Sequence, residues 1–250
     1  MKGTFFLKPL EFNITIFGES FEQGELLKGN VILKKHDDCD LSLSDYGVIL
    51  ALGDLKKIKK KDNKAFMALS TKYFQTDSST EETQFLEFSF QLEANSPITT
   101  KASSHYLLCG HKDDLLNAGA LELNITPNRW FQEYINTLVL FFKFKIKGIK
   151  SKKELVEYKL QAPDTKDFGA VEQLLLSLKI DGEKIQVFYQ FKVKKLCYEM
   201  QGVVAKDVII NIEQVLEPND YKQFGDAANQ DKMKFFLNQA LEQIKRKTIL

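Results

Sequence analysis

Between residues 85 and 110 apolar and polar positions alternate with a period of two. Phe88, Phe90 and Leu92 interleave with Glu87, Ser89 and Gln91, the pattern of a strand with one buried face. Asn95, Ser96 and Pro97 interrupt the pattern and Tyr106 and Leu108 resume it, so the stretch predicts strand, turn and strand. Earlier in the chain Phe12, Ile14 and Ile16 alternate in the same way. Residues 18–24 make a glycine-bounded bend, and Leu27, Val31 and Leu33 carry the return strand around Gly29. Residues 37–40 mark a further turn, and residues 41–55 alternate again, with Leu43, Val48, Leu50 and Leu52 as core candidates. Residues 56–64 (KKIKKKDNK) read as a hairpin tip or exposed loop, residues 66–74 as a returning strand, and residues 76–83 as a polar loop. Short strands at this spacing predict an antiparallel sandwich rather than βαβ units.

Leu121, Leu123 and Ile125 end the first half on a strand that Pro127 and Asn128 close. Trp130, Phe131, Tyr134, Ile135 and Leu138 then recur at helical spacing behind an Asn128 cap, which predicts a short helix between two domains. Across residues 138–149, Phe142, Phe144 and Ile146 face one way and Lys143, Lys145 and Lys147 the other, so a strand is expected there. Further strands are expected at residues 155–160, 171–180, 185–193 and 208–215, with Asp181-Gly182 as a turn. An Asp226 cap leads into a helix whose Met233, Leu237, Ala240, Leu241 and Ile244 form one stripe suited to docking on a sheet. The expected class is all-β: two tandem antiparallel β-sandwich domains at residues 1–127 and 128–216, the short helix opening the second. Residues 217–250 form an extension with an amphipathic helix.

Composition adds bounds rather than chemistry. With 44% hydrophobic and 28% charged residues and 5 prolines, the 250-residue chain is a folded one. Its 35 basic and 34 acidic residues leave a net charge of +1, so any anion binding has to come from a local patch. Cys39, Cys109 and Cys197 are an odd, widely spaced set without a CxxC, which suits reduced thiols and a cytoplasmic setting better than a disulfide framework. Lys8 and Glu11 interrupt the opening residues before an apolar leader forms, and no segment reaches membrane-spanning length.

Four segments resemble bacterial arrestin-like sporulation-control proteins. Residues 21–25 (FEQGE) through Gly29-Asn30-Val31 resemble that family's early turn. Residues 88–92 (FSFQL) with 96–99 (SPIT) resemble its F-x-F-x-L and P-I-T signature. Residues 121–127 are similar to its domain junction, and residues 157–191 to its second-domain run ending in the Asp181-Gly182-Glu183 turn. The chain departs from the family pattern at residues 116–119 (LNAG) and 193–195 (VKK). The resemblance implies two arrestin-like sandwiches in tandem, acting as an adaptor without catalytic residues or an obligatory cofactor.

Direct tests for chemistry point the same way. His105, Cys109 and His111 share one face of a predicted strand, but a rise of about 3.3 Å per residue sets His105 and Cys109 roughly 13 Å apart, too far for one zinc. Cys109 with His111 would need further ligands such as His36 and Cys39, so the expectation is no metal. There is no G-x-S-x-G, and Ser104 and His105 point to opposite faces. The acidic pairs Asp37-Asp38, Glu81-Glu82 and Asp113-Asp114 lack the alternating spacing of a calcium loop, and no glycine-rich phosphate loop is present. An enzyme is not expected, nor is a cofactor or a small-molecule substrate.

The candidate interaction residues are lysines: Lys56, Lys57, Lys59, Lys60, Lys61 and Lys64 in one loop, and Lys143, Lys145 and Lys147 on one strand face, joined by Lys192 and Lys194 if their strands are near. Lysines on a solvent face also serve to keep sheets soluble and edges unpaired. The expected function is a cytoplasmic adaptor binding a protein partner through sheet edges or concave faces. The alternative is a binder of anionic surfaces, membrane phosphate or nucleic acid, through these lysines. A second copy of the chain is a further candidate partner.

Overall fold

The computed structural model describes residues 1–36, 43–75, 83–199 and 202–249, with side chains described for all of these except 167, 196–199, 202–203 and 245–249. The chain forms two units, Met1–Thr126 and Pro127–Leu250. The first runs through β1 (Lys2–Leu7), β2 (Leu10–Ile16), β3 (Phe21–Glu22), β4 (Leu26–Lys35) and β5 (Tyr46–Asp54). It continues with α1 (Leu55–Lys59), β6 (Phe66–Tyr73), β7 (Thr83–Gln91), β8 (Ser103–His111), β9 (Gly119–Leu123) and β10 (Ile125–Thr126). The second contains α2 (Arg129–Phe142), β11 (Lys145–Lys152), β12 (Leu155–Gln161), β13 (Val171–Asp181), β14 (Lys184–Glu199), β15 (Gly202–Leu216), α3 (Pro218–Tyr221) and α4 (Gln230–Ile249).

In the first unit two antiparallel sheets, ordered β1-β2-β4-β7 and β6-β5-β8-β9, face one another. Alternation dictates what lies between them: Phe12, Ile14, Val31, Leu33, Phe88 and Phe90 from one sheet meet Val48, Leu50, Leu107 and Cys109 from the other. The predicted strand, turn and strand of residues 85–110 therefore spans both sheets, β7 in one and β8 in the other. Strands β5 and β8 are buried on both faces. Their outer residues Ile49, Ala51, Tyr106 and Leu108 lie under Leu55 and Ile58 of α1 and under Phe66. That is why Tyr106 and Leu108, read as inward, face away from the main core. Where β1 meets β9, the Phe5 side chain occupies the space a side chain at Gly119 would need, 2.1 Å from an ideal Cβ.

The second unit is built on one antiparallel sheet ordered β11-β12-β13-β14-β15. Register aligns its apolar positions into rows: Tyr158 opposite Leu176, Leu176 opposite Tyr189, Tyr189 opposite Ile212. All four are buried, as is the next row of Leu160, Leu174, Phe191 and Ile210. Helices α2 and α4 pack against each other, and α4 against β14 and β15. The stripe Met233, Leu237, Ala240, Leu241 and Ile244 is buried as its spacing predicts. Asp181-Gly182 makes the expected turn, with Gly182 at φ 60°.

Four local expectations change. Residues 138–142 continue α2 instead of starting a strand, because the helical stripe through Leu138 runs on to a Lys143 cap in the left-handed region (φ 60°). Residues 56–64 contain the short helix α1, not a bare loop, because Asp54 caps it. The last helix starts at Gln230: Asn229 Oδ1 accepts from the Lys232 N–H (3.3 Å), while Asp226 sits in the preceding turn at φ 61°. Finally, β1 was not expected; it forms a hairpin with β2. Residues 37–40, expected as a turn, and residues 76–82 of the polar loop expected at 76–83 lie outside the described residues, while Thr83 opens β7.

Candidate interaction surface

The lysine-rich segment is a tied knob rather than a free loop. The Asp54 carboxylate accepts from the backbone N–H groups of Lys56 (2.9 Å) and Lys57 (3.2 Å), satisfying donors that a helix start leaves open. Leu55 and Ile58 then pack on the outer core cluster, which turns Lys56, Lys59 and Lys60 to solvent. Lys61 adopts φ 53°, the Lys64 N–H donates to Asp62 Oδ1 (2.8 Å), and the Asp54 N–H donates to the Ala65 carbonyl (2.9 Å), closing the excursion at its neck. Among the described residues none of Lys56, Lys57, Lys59, Lys60, Lys61 or Lys64 forms an ion pair.

This knob leads directly into β6, an edge strand of its sheet. From Met67 to Tyr73 every residue is exposed, including Met67 at 57% and Leu69 at 46%. A bulge opposite Leu50 and Ala51 breaks its register. Gly47 allows the opposing backbone in: a Cβ there would lie 2.1 Å from the Lys72 carbonyl oxygen. The local sequence hardly marks this edge, because whether a strand is central or peripheral depends on strand order. The one local signal is the weak alternation of FMALSTKY.

Lys143, Lys145 and Lys147 are exposed but do not share one strand face. Lys143 caps α2, and β11 carries a bulge between Ile146 and Gly148. Nor do Lys192 and Lys194 join them, since β14 lies three strands from β11, about 14 Å at ordinary strand spacing. Those two lysines are neutralised where they stand. Lys192 pairs with Glu172 and Asp207, each at 2.7 Å, and Lys194 with Glu172 at 2.8 Å. These two hydrogen bonds pull the Glu172 carboxyl down to about 2. Lys150 with Glu157, Lys179 with Glu154 and Lys184 with Glu217 continue the pairing. The two lysine groups that stand out in the sequence thus lie in different units, and of the five lysines expected on one positive face Lys192 and Lys194 are paired, whereas no ion pair forms at Lys143, Lys145 or Lys147 among the described residues.

The histidine and cysteine candidates are separated by their environments. His105 and Cys109 are fully buried. Burial lowers the His105 pKa to about 4 and raises the Cys109 thiol to about 12, so the thiolate that metal binding or nucleophilic attack requires is disfavoured. His111 packs edge-on to Tyr46 with ring centroids 5.2 Å apart and lies 3.9 Å from Asp113. His36 pairs with Glu11 at 2.8 Å, and Cys39 lies outside the described residues. Among the described residues no three His, Cys, Asp or Glu side chains cluster as a metal site.

No protein-family model matches the sequence, and no curated protein matches it. Among solved structures, the crystal structure of Spo0M, sporulation control protein, from Bacillus subtilis superposes with a TM-score of 0.60 over 95% of this chain and 99% of that one, at 9% identity. The native conformation of the E. coli alpha-2-macroglobulin matches over 84% of this chain and 14% of that one, at 12% identity and a TM-score of 0.28, and Salmonella alpha-2-macroglobulin reacted with methylamine over 84% and 15%, at the same identity and TM-score. Over nearly its whole length this chain has the arrestin-like fold of Spo0M.

Proposed function

We propose that this chain is a non-enzymatic, cytoplasmic adaptor that binds a protein partner and needs neither cofactor nor small-molecule substrate. The observation that carries the reading is the fold likeness, over nearly the full length of both chains, to a protein named for sporulation control. Sheet edges supply an adaptor with what it needs. Backbone donors and acceptors give affinity, and flanking side chains give selectivity. A second reading, binding to an anionic surface, draws on a specific observation: the Lys56–Lys64 knob is unpaired among the described residues. Exposed lysine clusters of this kind attract phosphate-rich surfaces non-specifically.

Salt separates the two readings. A pull-down from native lysate at moderate salt compares the intact chain with a Lys143→Glu/Lys145→Glu/Lys147→Glu variant and with a variant carrying Lys56, Lys59, Lys60 and Lys61 as Gln. A discrete protein that is recovered, rebinds when purified and resists raised salt supports the adaptor. Recovery only of lipid or nucleic acid, lost from a lysine variant and lost steeply with salt, replaces it with the anionic-surface reading.

A further inference from the structure

We infer that the free edge of β6 takes up an extended segment of a partner protein as an added antiparallel strand, the segment's apolar residues lying along Met67 to Tyr73 and an acidic cluster at its C-terminal end meeting the lysines of residues 56–64. This rests on the adaptor reading and names the chemistry of its partner.

Three observations carry it. First, β6 bonds to β5 on one side and to no strand on the other among the described residues. It exposes Met67, Leu69 and Tyr73, an apolar run that an edge strand ordinarily guards with charge. The contrast lies in the same chain: edge strand β11 is guarded by Lys145, Lys147, Lys150 and Lys152, whereas β6 carries Lys72 alone. Second, six lysines without counter-charges among the described residues, Lys56, Lys57, Lys59, Lys60, Lys61 and Lys64, stand at the start of β6 itself, beside its exposed apolar residues. An acidic segment supplies what is missing. Third, the direction follows from geometry. The sheet is antiparallel throughout, so an added strand in the same sense runs from Tyr73 towards Phe66 and brings its C-terminal end to the knob. The edge is also held in place, because Gly47 lets the β6 backbone sit close against β5.

Fluorescence anisotropy tests this with a labelled synthetic peptide of alternating valine and threonine ending in a cluster of Asp and Glu. The same peptide N-methylated at alternate residues, and one with the acids at its N-terminal end, serve as comparisons. Expected are binding of the first peptide, loss with N-methylation, weaker binding with the acids reversed, and about tenfold weaker binding when Lys56, Lys59, Lys60 and Lys61 are Gln. These lysines are solvent-exposed, so the variant keeps its fold, which circular dichroism checks. Equal binding of the N-methylated peptide, or capture by phosphatidylserine vesicles with no peptide bound, overturns the inference in favour of charge alone. A dimer in sedimentation that Leu69→Lys dissolves assigns the edge to a second copy and also overturns it. A purified partner that binds the lysine variant undiminished, with the peptide not bound, removes the β6 inference and leaves the adaptor reading standing. Recovery of no discrete partner removes the adaptor reading itself.

Discussion

The phenols of Tyr134 on α2 and Tyr189 on β14 share a buried hydrogen bond. Tyr189 in turn donates to Gln214 Oε1 on β15 at 2.7 Å, and Gln214 Nε2 donates to the Phe236 carbonyl on α4 at 3.0 Å. Both tyrosines are almost wholly buried, and burial raises both phenol pKa values, so the network stays neutral and polar inside an apolar layer. It fixes where both helices sit on the sheet.

Tyr189→Phe strands the Tyr134 hydroxyl and the Gln214 carbonyl together and is expected to cost about 2–3 kcal/mol, whereas Tyr134→Phe leaves the Tyr189–Gln214 bond intact and costs about 1 kcal/mol. The double variant costs less than the sum. Trp130, the single tryptophan, lies on α2, so its fluorescence through a urea titration reads this unit. Equal costs for the two single variants count against the network.

His105 makes the first unit sensitive to acid. Both ring nitrogens are buried without a hydrogen-bond partner among the described residues, and burial holds the pKa at about 4 against 6.5 in an unfolded chain. The folded state therefore refuses a proton that the unfolded state accepts. The resulting stability is fully present above pH about 6.5 and falls away as pH drops towards 4, by about 3 kcal/mol. His105→Leu is expected to flatten that dependence. Cys109 supplies the probe: its buried thiol reacts with a thiol reagent only when the unit opens, read in a background with Cys39 and Cys197 changed to Ser. An unchanged pH slope in the variant would falsify the assignment.

Gly119 is needed for space. Its absent Cβ would stand 2.1 Å from Phe5 Cγ and 2.4 Å from Phe5 Cβ. Gly119→Val is expected to destabilise by about 1–3 kcal/mol through overpacking, and adding Phe5→Ala is expected to return part of that loss. Thermal unfolding of the four members of the cycle checks it. No coupling between the two substitutions would mean that Phe5 is not what fills the space.

Asp54→Ala removes the α1 cap, a change worth about 1 kcal/mol. The effect should be local. Limited trypsin digestion is expected to cut within residues 56–64 faster in the variant than in the intact chain, with global unfolding shifted only slightly. Unchanged cleavage would show that packing of Leu55 and Ile58 alone holds the knob.

How much was legible follows from the range of each signal. The alternation of Phe88 and Phe90, of Leu174 to Leu178 and of Ile185 to Val193 survives into the structure as buried faces, as do the Asp181-Gly182 turn and the α4 stripe. At residues 138–146 two periods overlapped. Phe142 ends the helix, Phe144 is buried after the Lys143 cap, and Ile146 is 49% exposed. The apparent alternation was three residues in different settings. Among the candidate site residues, the lysines at 56–64 were found by density of charge, whereas the neighbouring β6 edge carried no comparable mark.

The sequence by itself determined the antiparallel β character, the Asp181-Gly182 turn and the amphipathic helix, because side-chain period and turn chemistry are set by backbone geometry over a few residues. Tertiary structure alone decided the rest. Strand order made β6 an edge and put β11 three strands from β14, and register brought Glu172 and Asp207 to Lys192. Which lysines keep an uncompensated charge depends on carboxylates delivered from distant segments, and no local pattern encodes that pairing.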